Sequence, residues 1–272
     1  MYRRTSHISR LKYYIYLIIR EAFLITLRMF HVKHFYDIIL VKGGEFFMSN
    51  ITDYNMNNIS FLWDLDGTLI DSYKVIASSI EKVLNNKNIF ISYEDIRKEV
   101  TENAVGHFLE KIAIKYNLSF NELSTESHKL INSRYLEVES IKNAKEILNY
   151  LSNQNIKNFI YTHKGKSTFD ILNNLNLSKF FTEILTIEDG FKRKPDPEAI
   201  NYLITKYNMN KNCTYYVGDR KLDIESANNA NIKSILYIPE NSYVKPTGKE
   251  NYIIKDLIEI KDILNVSRET SE

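Results

Sequence analysis

Along most of this chain, apolar residues follow either the helical 3.6-residue rhythm or short β-rich runs. Residues 59–64, "ISFLWD", are apolar and β-rich. Asn57–Asn58 bounds them before and an Asp-Gly pair after, so they read as a buried strand. From 72 to 87 the rhythm turns helical, with Val75, Ile76, Ile80, Val83 and Leu84 on one face. Three more helical stretches follow at 93–101, 103–116 and 120–138. Ser92 and Ser119 stand where N-caps belong, and Glu122 is placed to complete a capping box with Ser119. No strand pattern interrupts 73–138, which predicts an all-helical insert. Helices near 142–153, 167–176, 197–207 and 222–230 then alternate with strands at 157–162, 183–187, 214–218 and 234–238. A last strand–helix pair occupies 251–264. Repeated strand–helix units predict an α/β fold, a doubly wound parallel sheet with a Rossmann-like core. The expected domains are a core at 48–72 and 139–272 and an inserted helical domain at 73–138.

Residues 1–47 differ. "LKYYIYLIIREAFLITLRMF", residues 11–30, is apolar, but Lys12, Arg20, Glu21 and Arg28 interrupt it before it reaches the ~18–20 residues a membrane span needs. No small-residue cleavage site follows the apolar run. "KGGEFFM", residues 42–48, can be encoded with a purine-rich ribosome-binding sequence ahead of an ATG. "MFHVKH", residues 29–34, can be encoded as an inverted repeat resembling a bacterial chromosome-partition site. The expectation is that residues 1–47 are an extension, either spurious upstream translation with the start at Met48, or a disordered or loosely helical tail. The nucleotide sequence of the gene tests the first.

Composition narrows the function classes. A formal charge of +2, from 36 basic and 34 acidic residues, gives no electrostatic case for nucleic acid or an anionic membrane. One cysteine, Cys213, excludes an internal disulfide and cysteine-rich zinc sites and suits a reducing cytoplasm. The richness in Asn, Lys, Ile and Tyr reads as a property of an AT-rich genome rather than of the fold.

The chemistry gathers where strands end. In "FLWDLDGTLIDS", residues 61–72, a buried strand runs into Asp64 and Asp66. Carboxylates this close disfavour joint ionisation unless a cation or a hydrogen-bond network compensates. After the second strand come Thr162 and His163. Near the third lies "FKRKPDP" with Lys194, and after the fourth "GDRKLD" with Asp219 and Asp223. A parallel sheet brings these to one edge, where ligands bind. Four carboxylates in that crevice suit Mg²⁺, a cation that favours carboxylate, water and phosphate oxygens. With a lysine alongside, the set suits phosphoryl transfer.

"DLDGTLIDS", "YTHK", "KRKPDP" and "GDRKLDIESA", in this order and spacing, resemble the haloacid-dehalogenase-like hydrolase superfamily, in particular its phosphoglycolate-phosphatase-like branch. The resemblance covers roughly 59–265. It implies a Mg²⁺-dependent phosphatase in which Asp64 is the nucleophile and forms an aspartyl phosphate. It implies that Asp66 is the general acid and then base. Thr162 and the backbone N–H of His163 would hold phosphoryl oxygens, and Lys194 would stabilise nucleophile and phosphoryl group. Asp219 would ligate the metal with Asp64 and the backbone carbonyl of Asp66, and Asp223 would act through a metal-bound water or orient Lys194. Gly67 would permit the tight turn, with Thr68 bracing it. The helical insert matches the family's mobile cap.

Plainer readings stand beside these. His163 would contribute its backbone while its ring lines the pocket. His107 reads as a surface or cap-core histidine, Lys192 and Arg193 as solvated, and Cys213, Trp63 and the tyrosines as packing residues. Arg220 reads more as a bystander than as a substrate contact. The rival functions are a sugar-phosphate phosphomutase on the same scaffold and a catalytically silent binding or regulatory member. The expected partner is a small phosphorylated metabolite, met by a monomer or homodimer, with no nucleic acid and no membrane.

Overall fold

The computed structural model describes residues 38–42, 45–49, 59–240 and 242–269, with side chains over 59–240 and 242–265. The chain divides into two units, 1–54 and 55–272. In the first, β1 (Ile38–Lys42) pairs antiparallel with β2 (Glu45–Ser49), from Ile38↔Ser49 to Lys42↔Glu45. Disorder or loose helix was the expectation there. The β-rich residues of both segments favour strand pairing instead. The remaining expectations for the first 47 residues lie outside the described residues.

The second unit is built on a six-stranded sheet of β3 (Ser60–Trp63), β6 (Lys157–Tyr161), β7 (Phe181–Leu185), β8 (Thr214–Gly218), β9 (Lys233–Tyr237) and β10 (Tyr252–Ile254). Its order is β10-β9-β8-β3-β6-β7, and every pairing is parallel. The chain runs outward one way through β3, β6 and β7, then returns beside β3 and runs the other way through β8, β9 and β10. That reversal is the switch point at which doubly wound sheets open a crevice.

Both sheet faces are covered, as the period-2 alternation requires. Phe61, Trp63, Ile160, Tyr215 and Val217 pack on one side with α5 (Ala144–Asn153) and α6 (Ser167–Asn174), through Ile147, Leu151 and Ile171. The same cluster takes in Ile260, Ile263 and Leu264 of α9 (Ile260–Glu269). Leu62, Phe159, Tyr161 and Tyr216 pack on the other side with α7 (Glu198–Tyr207) and α8 (Lys221–Asn229), through Ile200, Leu203 and Ala227. The buried Trp63 indole donates to Asn158 Oδ1 at 3.0 Å, so a polar atom inside the core is satisfied.

Between β3 and β6 lies the helical insert: α1 (Ser72–Asn86), α2 (Tyr93–Glu102), α3 (Val105–Lys115) and α4 (Phe120–Ser133). It has a core of its own, including Ile80, Leu84, Ile96, Leu109, Ile112 and Leu123. A two-stranded antiparallel stem carries the chain in and out, β4 (Ile70–Asp71) against β5 (Glu139–Ser140). Asp71 caps α1, accepting from the Lys74 N–H at 3.3 Å, and pairs with Arg97 of α2 at 3.3 Å. Ser92 and Ser119 are the expected N-caps, accepting from Asp95 and Glu122 N–H groups. The return bond from Glu122 that a capping box requires is not made.

Two expected boundaries move. The helix expected to reach 138 ends at Ser133. Arg134 turns aside to donate to Ser78 and Ser79 at 3.0 Å and to pair with Glu137 at 2.7 Å. The third sheet strand starts two residues earlier than expected, at Phe181, where a register irregularity against β6 absorbs an extra residue.

The asparagines are more than a genomic accident. Among the described residues, every non-glycine residue with positive φ is an asparagine: Asn88, Asn117, Asn143, Asn155, Asn176, Asn208 and Asn231. All but Asn143 follow the end of a helix by one or two residues. Asparagine tolerates the left-handed conformation that closes a helix C-terminus, a place usually held by glycine. A chain with 8 glycines in 272 residues uses asparagine there.

Candidate active site

Parallel pairing places the carboxyl ends of β3, β6 and β8 side by side, so residues far apart in sequence meet. Asp64 follows β3, and its N–H donates to Val217 O at 2.8 Å, carrying the ladder one residue past the strand. The turn after it needs Gly67, whose φ is +84°. A Cβ there would collide with the carboxylate of Asp219 and the ring of Tyr73. Gly67→Ala is therefore expected to cost about 1–3 kcal/mol of stability. Urea unfolding checks this, and an unchanged midpoint would contradict the close approach.

Lys194 comes from the loop between β7 and α7 and is the electrostatic centre. Its Nζ lies 2.5 Å from Asp64 Oδ1 and 2.8 Å from Asp223 Oδ1, with 2% of its side chain exposed. The ammonium also sits over the rings of Tyr161 and Tyr216, 5.1 and 5.3 Å from their centroids. The two tyrosines are fixed in turn, Tyr161 donating to Lys192 O at 2.8 Å and Tyr216 to Tyr161 O at 3.0 Å. Burial disfavours the charged amine, but Asp223 and Asp64 outweigh it and hold its pKa well above the usual range.

Asp64, Asp219 and Asp223 each bring a carboxylate oxygen within 4.8 Å of the others, all buried. Burial pushes the Asp64 pKa up to about 7, Lys194 opposing and Asp223 adding. Burial, with Asp64 and Asp223, also pushes Asp219 well up. Asp219 accepts from Tyr73 OH at 3.1 Å and Thr68 Oγ1 at 3.4 Å, so Thr68 braces the carboxylate as well as the turn. The oxygens of Asp223 are spent on Lys194 and on the Arg220 N–H at 3.1 Å. Asp64, with one oxygen on Lys194, is thus the least encumbered carboxylate. A cluster with one lysine against three buried carboxylates has the charge and the hard oxygens that suit a divalent cation.

Asp66 stands apart from that cluster. Its Oδ1 accepts from Lys164 Nζ at 2.9 Å, and 25% of its side chain remains exposed. Burial pushes its pKa up, but Lys164, with the Ser72 hydroxyl and Lys194, outweighs this and leaves it below the usual carboxylate range. Thr162, after β6, is buried, and its Oγ1 accepts from the Lys164 N–H at 3.1 Å.

The ring of His163 does more than line the pocket. Its Nε2 accepts from the Lys194 N–H at 2.9 Å, so the ring holds the lysine's own backbone. Burial, then Lys194, Arg193 and Arg220, pull its pKa down from 6.5 to about 3. The unfolded chain therefore takes up this proton first as pH falls, and His163 withdraws stability between about pH 6.5 and 3. The unfolding midpoint of the wild type is expected to fall more steeply from pH 7 to 4 than that of His163→Gln. Parallel slopes would contradict the depressed pKa.

All eight chemistry-bearing residues singled out in the sequence (Asp64, Asp66, Thr162, His163, Lys194, Asp219, Asp223 and the turn's Gly67) lie at this edge. Lys164, Tyr73, Tyr161 and Tyr216 were not singled out. Lys164 was visible only as the final residue of "YTHK", and the tyrosines looked like the core residues they also are. Arg193 and Lys192 are exposed, as expected, and His107 lies on the surface rather than in the core of the insert. Cys213 is buried and unpaired. Among the described residues, no helix is long and apolar enough to cross a membrane.

Comparison with known proteins identifies the family. Residues 61–237 match the family described as haloacid dehalogenase-like hydrolase. The chain is 30% identical over 214 residues to the pyrophosphatase PpaX of Oceanobacillus iheyensis, covering 76% of this chain and 95% of that one. It is 26% identical over 230 residues to a phosphoglycolate phosphatase of Vibrio parahaemolyticus, covering 80% and 100%. The fold is similar to that of a hydrolase from Streptococcus pneumoniae, with TM-score 0.58, 22% identity and coverage of 77% and 99%.

Proposed function

The chain belongs to the haloacid dehalogenase-like hydrolase family, and from that premise we propose that it is a Mg²⁺-dependent phosphatase of small, phosphoglycolate-like phosphomonoesters working in the cytoplasm. One observation carries the reading: the Lys194 ammonium, clamped by Asp64 and Asp223, lies at the strand edge shared by Asp219 and Thr162.

Asp64 attacks phosphorus. The Asp64 Oδ–P bond forms and the bond from phosphorus to the leaving oxygen breaks, with Asp66 giving that oxygen a proton. Water then attacks the phosphoaspartate, Asp66 takes its proton, and the P–Oδ bond breaks to release phosphate. Thr162 and the His163 N–H hold phosphoryl oxygens. Lys194 spreads the negative charge on nucleophile and phosphoryl group. Asp64, Asp219 and the backbone carbonyl of Asp66 would hold Mg²⁺, with Asp223 behind them. The ion would neutralise the charge that gathers on the phosphoryl oxygens. The helical insert closes over the edge as a cap and excludes bulk water.

Phosphate release over a panel of phosphoglycolate, pyrophosphate, sugar phosphates and nucleotides tests the proposal. Release from a phosphomonoester, lost on chelation and restored by Mg²⁺, is expected. Release unaffected by chelation would refute the metal requirement. An isomerised sugar phosphate in place of inorganic phosphate would turn the reading to a phosphomutase.

A further inference from the structure

The loop after β6 presents a lysine that the scheme above leaves without a task. We propose that Lys164 is a positioning residue for Asp66, holding this carboxylate clear of the Asp64–Asp219–Asp223 cluster and on the solvent side of the site, where the leaving oxygen departs and water arrives. The inference rests on the phosphatase reading.

The base of Lys164 is rigid. Its N–H donates to Thr162 Oγ1 at 3.1 Å, and its carbonyl accepts from the Ile187 N–H at 3.2 Å. The next residue, Gly165, lies so near Glu188 that a Cβ would come 3.0 Å from Oε1, and the Lys166 N–H donates to that same oxygen at 3.2 Å. From this base the ammonium spans to a carboxylate 98 residues away in sequence, at 2.9 Å. It makes no other ion pair among the described residues. Side-chain exposures are 19% for Lys164 and 25% for Asp66, against 10% for Asp64 and 0% for Asp223. The pair therefore sits outermost in the site, shielded enough for geometry to matter yet open to water. A carboxylate serving as acid and then base must not join the neighbouring carboxylates in binding a cation. An ammonium on one of its oxygens prevents that and leaves the other oxygen for the proton.

The test follows phosphoenzyme breakdown after a single turnover of p-nitrophenyl phosphate, whose leaving group needs little protonation. Breakdown forms the water O–P bond, breaks the Asp64 O–P bond and moves a proton to Asp66, so it reads the positioning of Asp66 with no substrate bound. Lys164→Met is expected to slow breakdown about tenfold, with Lys164→Arg recovering most of the loss. In an Asp66→Asn background, Lys164→Met should add less than about twofold, because the two residues act as one unit. Equal slowing in both backgrounds would overturn the proposal. So would unchanged breakdown with weakened substrate binding, which makes Lys164 a direct substrate contact, and unchanged rates throughout, which makes the pair a surface ion pair only. If the wild type forms no phosphoenzyme, the phosphatase reading fails by itself. A crystal structure of Lys164→Met then decides the positioning role: an Asp66 carboxylate that turns toward Asp64 supports it, and one that stays in place refutes it.

Discussion

Asp64→Asn is expected to lower phosphate release by about 10⁴-fold or more while leaving the protein folded. The substitution keeps the shape of the side chain and an oxygen to accept from Lys194 Nζ, and removes the charged oxygen that would attack phosphorus. Stability should not suffer. In the metal-free protein the folded-state pKa of Asp64 is raised from 3.8 to about 7. A carboxyl with a raised pKa gives its stabilisation below about pH 3.8 and loses it as pH climbs through 7. The asparagine variant avoids that loss. Without metal its unfolding midpoint, relative to wild type, should therefore improve from pH 4 to pH 8. Phosphate assays and urea titrations at the two pH values measure both halves. Turnover near the wild-type rate would remove Asp64 from the nucleophile's place.

Lys194→Met is expected to be the more damaging change for the fold. The ammonium is the common partner of Asp64 and Asp223, and an apolar replacement leaves two buried carboxylates facing each other uncompensated. Removing one partner of a buried ion pair costs on the order of 3–5 kcal/mol. Part of this should return at low pH, where the carboxyls are protonated, and part on adding Mg²⁺ if the ion enters the cluster. Denaturant unfolding with and without Mg²⁺ reads each contribution. A loss below about 1 kcal/mol would show that the contacts resemble a surface pair in strength.

The sequence disclosed the parts of the site that depend on residue type and on strand ends. Asp64, Thr162 and Asp219 each follow a short apolar run, and parallel topology does the rest. What stayed hidden was set by contacts across the fold. The tyrosines that flank Lys194 alternate with core residues on β6 and β8, so nothing in their spacing separates a ring facing an ammonium from one facing only core. The ring of His163 acts through a backbone N–H thirty-one residues on, a partner no local pattern reveals. Helix ends were blurred for a related reason. The helical rhythm continues past Ser133, and α4 ends where Arg134 donates to Ser78 and Ser79, partners no local pattern reveals. The asparagines show the converse, because their meaning lay in position, at helix C-termini, while composition alone pointed to codon usage.

Ile70↔Ser140 and Asp71↔Glu139 pair where the chain departs for the four helices and where it comes back. Everything between those points is topologically a side excursion from two adjacent rungs. Exchanging the excursion beyond Tyr73, whose hydroxyl donates to Asp219, for another of different length leaves the sheet unthreaded, and closing a longer loop adds little entropy cost. In the proposed function, substrate preference and bond-breaking chemistry thereby fall on separate segments. A lineage with this architecture can change what it recognises without rebuilding how it reacts.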